Sequence, residues 1–328
     1  MNTISLTAEL SEPSRLDKYV ASGGILTRSK LKSCVKKILL NGQNAKLSSK
    51  VKNGDIIEII WEEAPLVFEP QNIPLDILYE DSDVTVINKA QGMVTHPGAG
   101  NYSGTLVNAL LYHWGRGAAE DTRPGIVHRL DKDTSGALIA AKTGASALWL
   151  TDQFASRRVK KEYIAIVTGR PPAEKGKIKT FIARDTRNRK KFSVVEIADD
   201  EPPVTAKTCA RGKLAVTLYR CIARYGPFSL LRIRIKTGRT HQIRVHLKHI
   251  GCPVLGDSLY GSKSKVFPGA TLMLHARKLS LRLPNAADNA ESFTTFAAPV
   301  PVRFRAVIQE LRQRFAKQEY DYYSDTRR

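Results

Sequence analysis

The stretch SLLRIRIKTGRTHQIRVHL at residues 229–247 changes its period half-way along. Arg232, Arg234 and Lys236 alternate with Ile233 and Ile235, the two-residue period of a strand with one face inward and one face charged. Gly238 then turns the chain toward a helix expected over residues 240–250, near whose start stand Arg239, His241 and Arg244. Outward from this stretch, strands are expected at residues 83–89, 136–142, 162–168, 191–197 and 214–223, and helices at 105–114, 145–157 and 302–317. Strands outnumber helices and do not alternate strictly with them. The expected class is therefore α+β, with a mixed but largely antiparallel sheet.

The chain has 328 residues, 42% hydrophobic and 25% charged, which are ordinary globular values. Its charge is not ordinary: 52 Lys+Arg against 31 Asp+Glu leaves +21. Such an excess repels itself unless a polyanion relieves it, which points first to nucleic acid and second to an anionic membrane surface. The longest apolar runs, such as residues 137–141, fall far short of a spanning helix, and the first ten residues lack the pattern of a secretory signal. Cys34, Cys209, Cys221 and Cys252 form no C-x-x-C pair, which argues against a zinc ribbon and a disulfide scaffold. A reduced, cytoplasmic protein is expected.

Residues 1–62 form a compositional unit of their own. Between residues 14 and 54 stand ten Lys/Arg and one acid, Asp17. Helices are expected over residues 15–22 and 29–40, with turns at Asn41-Gly42 and Asn53-Gly54 and a strand over 56–61. Arg15, Lys18, Arg28, Lys30 and Lys32 are its candidate phosphate contacts. Residues 63–75, with Pro65, Pro70 and Pro74, read as an extended linker, and 76–328 as a second, larger domain.

Two clusters bear chemistry. Residues 125–136, GIVHRLDKDTSG, pack polar groups between apolar segments. They fit either a solvated charged turn or a loop that presents reactive side chains from rigid strands. In the second, residues 236–247, arginines near a helix start fit an exposed basic face or a clamp on phosphate or carboxylate. The basic loop RDTRNRKK at 184–191 offers Arg187, Arg189 and Lys190 to phosphates, or is a solvated turn. His246, His249 and Cys252 have the spacing of metal ligands, but nothing nearby completes the set, and no metal is expected. The glycines of GAGNYSG at 98–104 miss the dinucleotide spacing, no phosphate loop occurs, and Ser135 lies in no nucleophile elbow.

HRLDKDTSG at 128–136 is similar to the signature of RluA-type pseudouridine synthases. Lys161-Glu162-Tyr163 resembles that family's second motif and residues 237–247 its third. NKAQGMVTHP at 88–97 also fits, as do Gly256-Asp257 and Tyr260-Gly261. The first sixty residues resemble the S4-like RNA-binding domain often fused to these enzymes, although KILLNG at 37–42 lacks the glycine usual before its first strand. The likeness runs in order across residues 14–305 and is closest to the RluC/RluD-like subgroup, whose characterised members modify large-subunit ribosomal RNA. Residues 284–291 depart from the pattern and read as a surface loop.

The resemblance implies a pseudouridine synthase fold and an RNA isomerase without cofactor. The alternatives are a non-catalytic RNA-binding ribosome-assembly factor on the same fold or a synthase acting on transfer RNA. Apart from the resemblance, a monomer is expected. The resemblance makes Asp131 the nucleophile, attacking the ribose C1′ or C6 of the base. A carboxylate nucleophile has to be ionised, which burial opposes and a neighbouring arginine favours. Arg244 is the expected partner, with Arg239 the alternative. Tyr163 would stack on the uracil, Ile243 wall the base, Arg129 fill the space left by a flipped uridine, and His128 either position the loop or bond the backbone. Flipping is cheapest in loops and single strands, so the expected partner is a structured RNA with an exposed uridine.

Overall fold

Ile57 and Ile59 are fully buried while Ile56 is exposed, and this alternation builds the sheet of the first of two units. The computed structural model describes residues 2–23, 26, 31, 34–62, 68–98, 101–117, 124–195, 212–284, 292–315 and 317–319. The two units, each compact, are residues 1–67 and 68–328.

In the first unit the strands are β1 Asn2–Thr7, β2 Ser14–Arg15, β3 Val35–Leu40, β4 Gln43–Asn44, β5 Lys50–Val51 and β6 Ile56–Trp61. They form a sheet in the order β1-β6-β3-β4 and a separate β2-β5 pair. Helix Leu16–Ser22 sends Leu16 and Val20 into a core with Leu31, Val51, Ile57 and Ile59. The helix expected over 29–40 is corrected at its C-terminal half. Val35–Leu40 is a strand, with Ile38 opposite Ile59 and Leu40 opposite Ile57. The reason lies in the next two residues. Asn41 and Gly42 both take positive φ, 53° and 76°, the two-residue hairpin turn that requires a strand on each side.

The second unit holds β7 Ile77–Glu80, β8 Val84–Lys89, β9 Ser135–Ala141, β10 Lys160–Thr168, β11 Lys175–Arg184, β12 Phe192–Val195, β13 Lys213–Tyr225, β14 Phe228–Ile235, β15 Leu274–Leu281, β16 Thr294–Ala297 and β17 Lys317–Glu319. These strands join one sheet, ordered β12-β11-β13-β14-β10-β15-β9-β8-β7, with β16 on β15 and β17 on β13. Among the described residues every pairing in it is antiparallel except β15 with β9. The class is α+β, as read.

Every residue of β9 is buried, because both faces of the sheet are covered there. Leu138 and Ala140 join the core that holds Leu106 and Leu110 of helix Leu106–His113. Ala137, Ile139 and Ala141 face the other way, toward Leu150 of helix Gly144–Ala155. Gly136 lets β9 approach β15: at φ +117° its added Cβ would stand 2.2 Å from the Ala276 carbonyl oxygen.

The segment expected as a linker is partly docked. Phe68 is buried against Val107 and Leu111, the Asn108 amide donates to the Glu69 carbonyl at 2.8 Å, and the Gln71 amide donates to that of Asn108 at 2.9 Å. The second unit therefore begins at Phe68, not at residue 76. Residues 63–67, Cys209 and residues 285–291 of the expected surface loop lie outside the described residues. Among those described, no helix is long and apolar enough to cross a membrane.

Candidate active site

Asp131 stands on the loop that leads into β9, and main-chain carbonyls on either side of it are gripped from the segment after β8. Lys89, fully buried at the end of that strand, donates from Nζ to the carbonyls of Ala90, Met93 and Lys132 at 2.9, 2.7 and 3.1 Å. Thr95 Oγ1 donates to the Leu130 carbonyl at 2.9 Å, and Gln91 Nε2 to that of Asp133 at 2.9 Å. Burial pulls the Lys89 ammonium down to about 8, against the raising effect of Asp131 and Asp133. Carbonyls cannot move freely when each serves a fixed donor, so the carboxylate is aimed by backbone.

Behind Asp131 lies an ion-pair relay. Arg244, in helix Gln242–His249, donates from Nε and Nη2 to the two carboxylate oxygens of Asp257 at 2.7 and 2.8 Å. Its Nη1 lies 3.7 Å from Asp131 Oδ2. Burial opposes the guanidinium charge, but the hydrogen bonds and charge of Asp257, with Asp131 adding to them, raise its pKa overall. Burial likewise opposes the Asp257 charge. Arg244 and the amides of Tyr260 and Leu259, bonded to Oδ1 at 3.0 and 2.9 Å, outweigh it and hold this carboxyl below the usual range. The bidentate fork fixes the guanidinium plane, leaving Nη1 for Asp131.

His241 is the second neighbour, with Nε2 at 4.0 Å from Asp131 Oδ2. It caps the helix in the left-handed region, φ 56°. Burial lowers its pKa, against the pull of Asp131, so the ring is neutral. The Tyr260 hydroxyl, 2.8 Å from His241 Nδ1, also accepts the Phe192 amide at 2.8 Å. The tautomer that suits both neighbours takes the Tyr260 proton at Nδ1 and turns an Nε2–H toward the carboxylate.

In front of Asp131 is a cavity of about 90 Å³ whose wall includes Tyr163, Ile235, Ile243 and Leu274. Tyr163 is buried, and burial, then the Asp131 charge, push its phenol above the ordinary tyrosine value, so it stays protonated. Thr134 Oγ1, also in the wall, is buried without a hydrogen-bond partner among the described residues. Arg129 is exposed at the mouth. The cavity adjoins a larger one of about 380 Å³, with which it shares Arg129, Tyr163 and Arg239.

The sequence-derived candidates thus separate. Asp131, Tyr163, Arg244, Ile243, Arg129 and Arg239 line one cavity. Arg239 donates from Nε to the Leu214 carbonyl at 2.9 Å, while Arg244 and His241 are the cationic or imidazole groups within 4.0 Å of Asp131 among the described residues. His128 lies outside this wall but lines the larger adjoining cavity, where its ring is held by the fold. Its Nε2 accepts the Ile139 amide at 3.0 Å, its ring stacks on Phe154 at 4.4 Å, and burial, then Lys161, lower its pKa to about 3.

Arg187, Arg189 and Lys190 are exposed on a loop that Asp185 braces through the amides of Arg187 and Asn188. Arg15 and Lys18 are exposed on the first unit, Arg15 pairing with Asp17 at 3.1 Å. Arg28, Lys30 and Lys32 lie outside the described residues. His246 is bonded between Thr180 and Thr217 at 3.0 and 2.9 Å. Sequence reasoning assigned no part to Lys89, Thr134, His241 or Asp257. Lys89 and Asp257 stood inside quoted motifs, but only the fold reveals their partners.

A semi-enclosed carboxylate, a fixed cation behind it and a phenol with aliphatic walls in front suit reaction at a flat, uncharged ring. The profile of the RNA pseudouridylate synthase family matches residues 83–249, which include Asp131, Tyr163 and Arg244. A ribosomal large subunit pseudouridine synthase D of Borreliella burgdorferi is 42% identical over 302 residues, covering 88% of this chain and 87% of its own. An uncharacterized RNA pseudouridine synthase of Chlorobaculum parvum is 40% identical over 328 residues, covering 93% and 96%. Among solved structures, human RNA pseudouridylate synthase domain containing 4 is 25% identical, with a TM-score of 0.56 over 75% of this chain and 95% of that one. The chain belongs to the RNA pseudouridylate synthase family, in its RluA branch, and is an isomerase that forms pseudouridine in RNA.

Proposed function

We propose that this enzyme modifies large-subunit ribosomal RNA and that Asp131 is its nucleophile. The observation that carries the second part is the position of the Asp131 carboxylate at the cavity, 3.7 Å from an Arg244 that Asp257 already holds. The first part draws on the relative from Borreliella burgdorferi, whose name specifies the ribosomal large subunit. In the reaction the N-glycosidic bond breaks, the uracil turns, and its C5 joins the ribose C1′. The C5 proton leaves and N1 gains one, so nothing external is consumed.

Asp131 attacks C1′ or C6 and is released when the new bond is complete. Arg244 keeps the carboxylate charged and aimed. Tyr163 and Ile243 hold the flat base between an aromatic and an aliphatic surface, and Arg129 occupies the gap in the RNA. Flipping the uridine costs a few kcal/mol in a stack, so an already looped nucleotide is favoured. The first sixty residues act as an S4-like module whose Arg15, Lys18, Arg28, Lys30 and Lys32 bind phosphates, and Arg187, Arg189 and Lys190 bind further ones from the second unit.

The test is pseudouridine mapping of total RNA from cells lacking the gene, complemented with wild type or Asp131→Asn. Loss of particular large-subunit sites, restored only by wild type, is the expected result. Restoration by Asp131→Asn removes Asp131 as nucleophile. Sites that vanish from transfer RNA instead remove ribosomal RNA as substrate.

A further inference from the structure

β14 turns Ile233 and Ile235 inward and leaves Arg232 and Arg234 on the opposite face of the sheet. On neighbouring β10, Tyr163 points into the Asp131 cavity, so Glu162 and Ile164 on either side of it share the reverse face with those arginines. Cross-strand register extends that face. Lys278 of β15 lies opposite Glu162, Arg220 of β13 opposite Arg232, and Lys175 of β11 opposite Arg220. Glu162 lies 3.0 Å from Arg234 and Glu174 lies 3.7 Å from Arg220.

This face carries a groove of about 460 Å³. Lys160, Arg232, Arg234 and Lys278 line it, and the one acid among its described lining residues, Glu162, is already paired. The groove shares Arg157, Lys161 and Lys236 with the cavity that adjoins the Asp131 site, so the two connect around the ends of β10 and β14. Farther on it shares Arg232 and Arg234 with a second groove of about 420 Å³ that includes Lys175 and Arg220. From β15 to β11 the path spans four strand spacings, about 19 Å.

We propose that this path is a second RNA-binding surface: it takes the phosphodiester strand that continues from the flipped uridine onto the reverse face of the sheet. The inference rests on the chain acting on RNA, and it adds a surface that the catalytic cavity does not need. Charge selects the occupant. The wall carries Lys or Arg at seven described positions, whereas the cores of protein interfaces are depleted of charge. Continuity with the cavity lets one RNA chain occupy both.

The experiment compares wild type with a Lys160→Gln, Arg232→Gln, Lys278→Gln variant, binding an unmodified large-subunit ribosomal RNA transcript over a range of salt. Each single-strand phosphate that is no longer neutralised lowers the salt slope by about 0.7, so the variant should lose about 2 from its slope and at least about tenfold in affinity. Single-turnover pseudouridine formation at saturating RNA should keep the wild-type rate. A charge-keeping variant, Lys160→Arg, Arg232→Lys, Lys278→Arg, should bind as wild type does. A transcript trimmed to the target hairpin should not distinguish any of the proteins.

Equal slope and affinity for the glutamine variant on the long transcript would overturn the inference, and so would an equal loss on the trimmed one. Loss of affinity in the charge-keeping variant would also overturn it. Binding is read without turnover. If wild type bound the transcript but formed no pseudouridine there, the ribosomal substrate would fall and the groove result would stand.

Discussion

At the scale of single residues, the site depends on one arginine serving two carboxylates. Arg244 gives Nε and Nη2 to Asp257 and leaves Nη1 facing Asp131 at 3.7 Å. A lysine has a single point charge and cannot reproduce that fork. Arg244→Lys should therefore lower the single-turnover rate by about a hundredfold, the scale of losing one preorganised electrostatic interaction. RNA affinity should hardly change, because Arg244 is buried behind the cavity. A rapid-quench assay at saturating RNA separates the two effects, and a variant with wild-type rate would remove Arg244 from the mechanism. Motif likeness pointed to Asp131, Tyr163 and Arg244, each of which lines the cavity. It could not give Asp257 a role, since a buried carboxylate thirteen residues from Arg244 becomes its partner only when the turn after the helix folds back. Nor could it show that His128 accepts an amide from β9.

At the scale of elements, what was legible was whatever one local signal decides. β14 and β6 alternate cleanly, and helices Leu106–His113 and Gly144–Ala155 both start at a threonine capping box. β3 was misread because its basic and apolar residues also suit a helix, and the hairpin turn after it outweighs that. β1, β2, β4, β5, β7, β11, β15, β16 and β17 went unread. β11 places Lys175, Lys177 and Lys179 on its exposed side, a residue type depleted in strands, and sheet pairing overrides the weak propensity. The parallel junction of β9 and β15 is invisible in sequence but hangs on one glycine. At Gly136→Ala a Cβ would meet the Ala276 oxygen at 2.2 Å, at a φ of +117° that alanine resists. The junction also carries Ser135 Oγ, 2.9 Å from His275 Nδ1, and the strand that the Asp131 loop enters. The substitution should cost more than about 2 kcal/mol in urea unfolding and reduce activity with it. An alanine variant of wild-type stability would show that the strands can part without cost.

At the scale of the whole molecule, the two units have separate cores, one around Leu16, Val20 and Ile57 and the other around β9, β10 and β14. Deleting residues 1–62 should therefore weaken RNA binding and its salt dependence more than the single-turnover rate at saturating RNA. Collapse of that rate would refute this division of labour. Three histidines, two of them fully buried and His128 half-buried, set the pH response of the second unit. Burial first of all lowers His128 to about 3, and His246 and His275 to about 4. Each is placed as a neutral ring: His246 between two threonine hydroxyls, His275 against Ser135, His128 as an amide acceptor. Their folded pKa values lie below the unfolded value of about 6.5, so below that pH the unfolded chain binds protons that the folded one refuses. Stability therefore falls as pH drops from about 6.5 toward 4, by an order of 1–2 kcal/mol per histidine at pH 5. Self-repulsion at a net +21 works in the same direction but is screened by salt, whereas proton uptake by buried rings is not. Urea unfolding at pH 7.5 and 5.0 in high salt isolates the histidine part. The midpoint should be clearly lower at pH 5.0, and His246→Gln should remove one histidine's share of the difference. Equal midpoints at the two pH values would mean that these rings accept protons in the folded state.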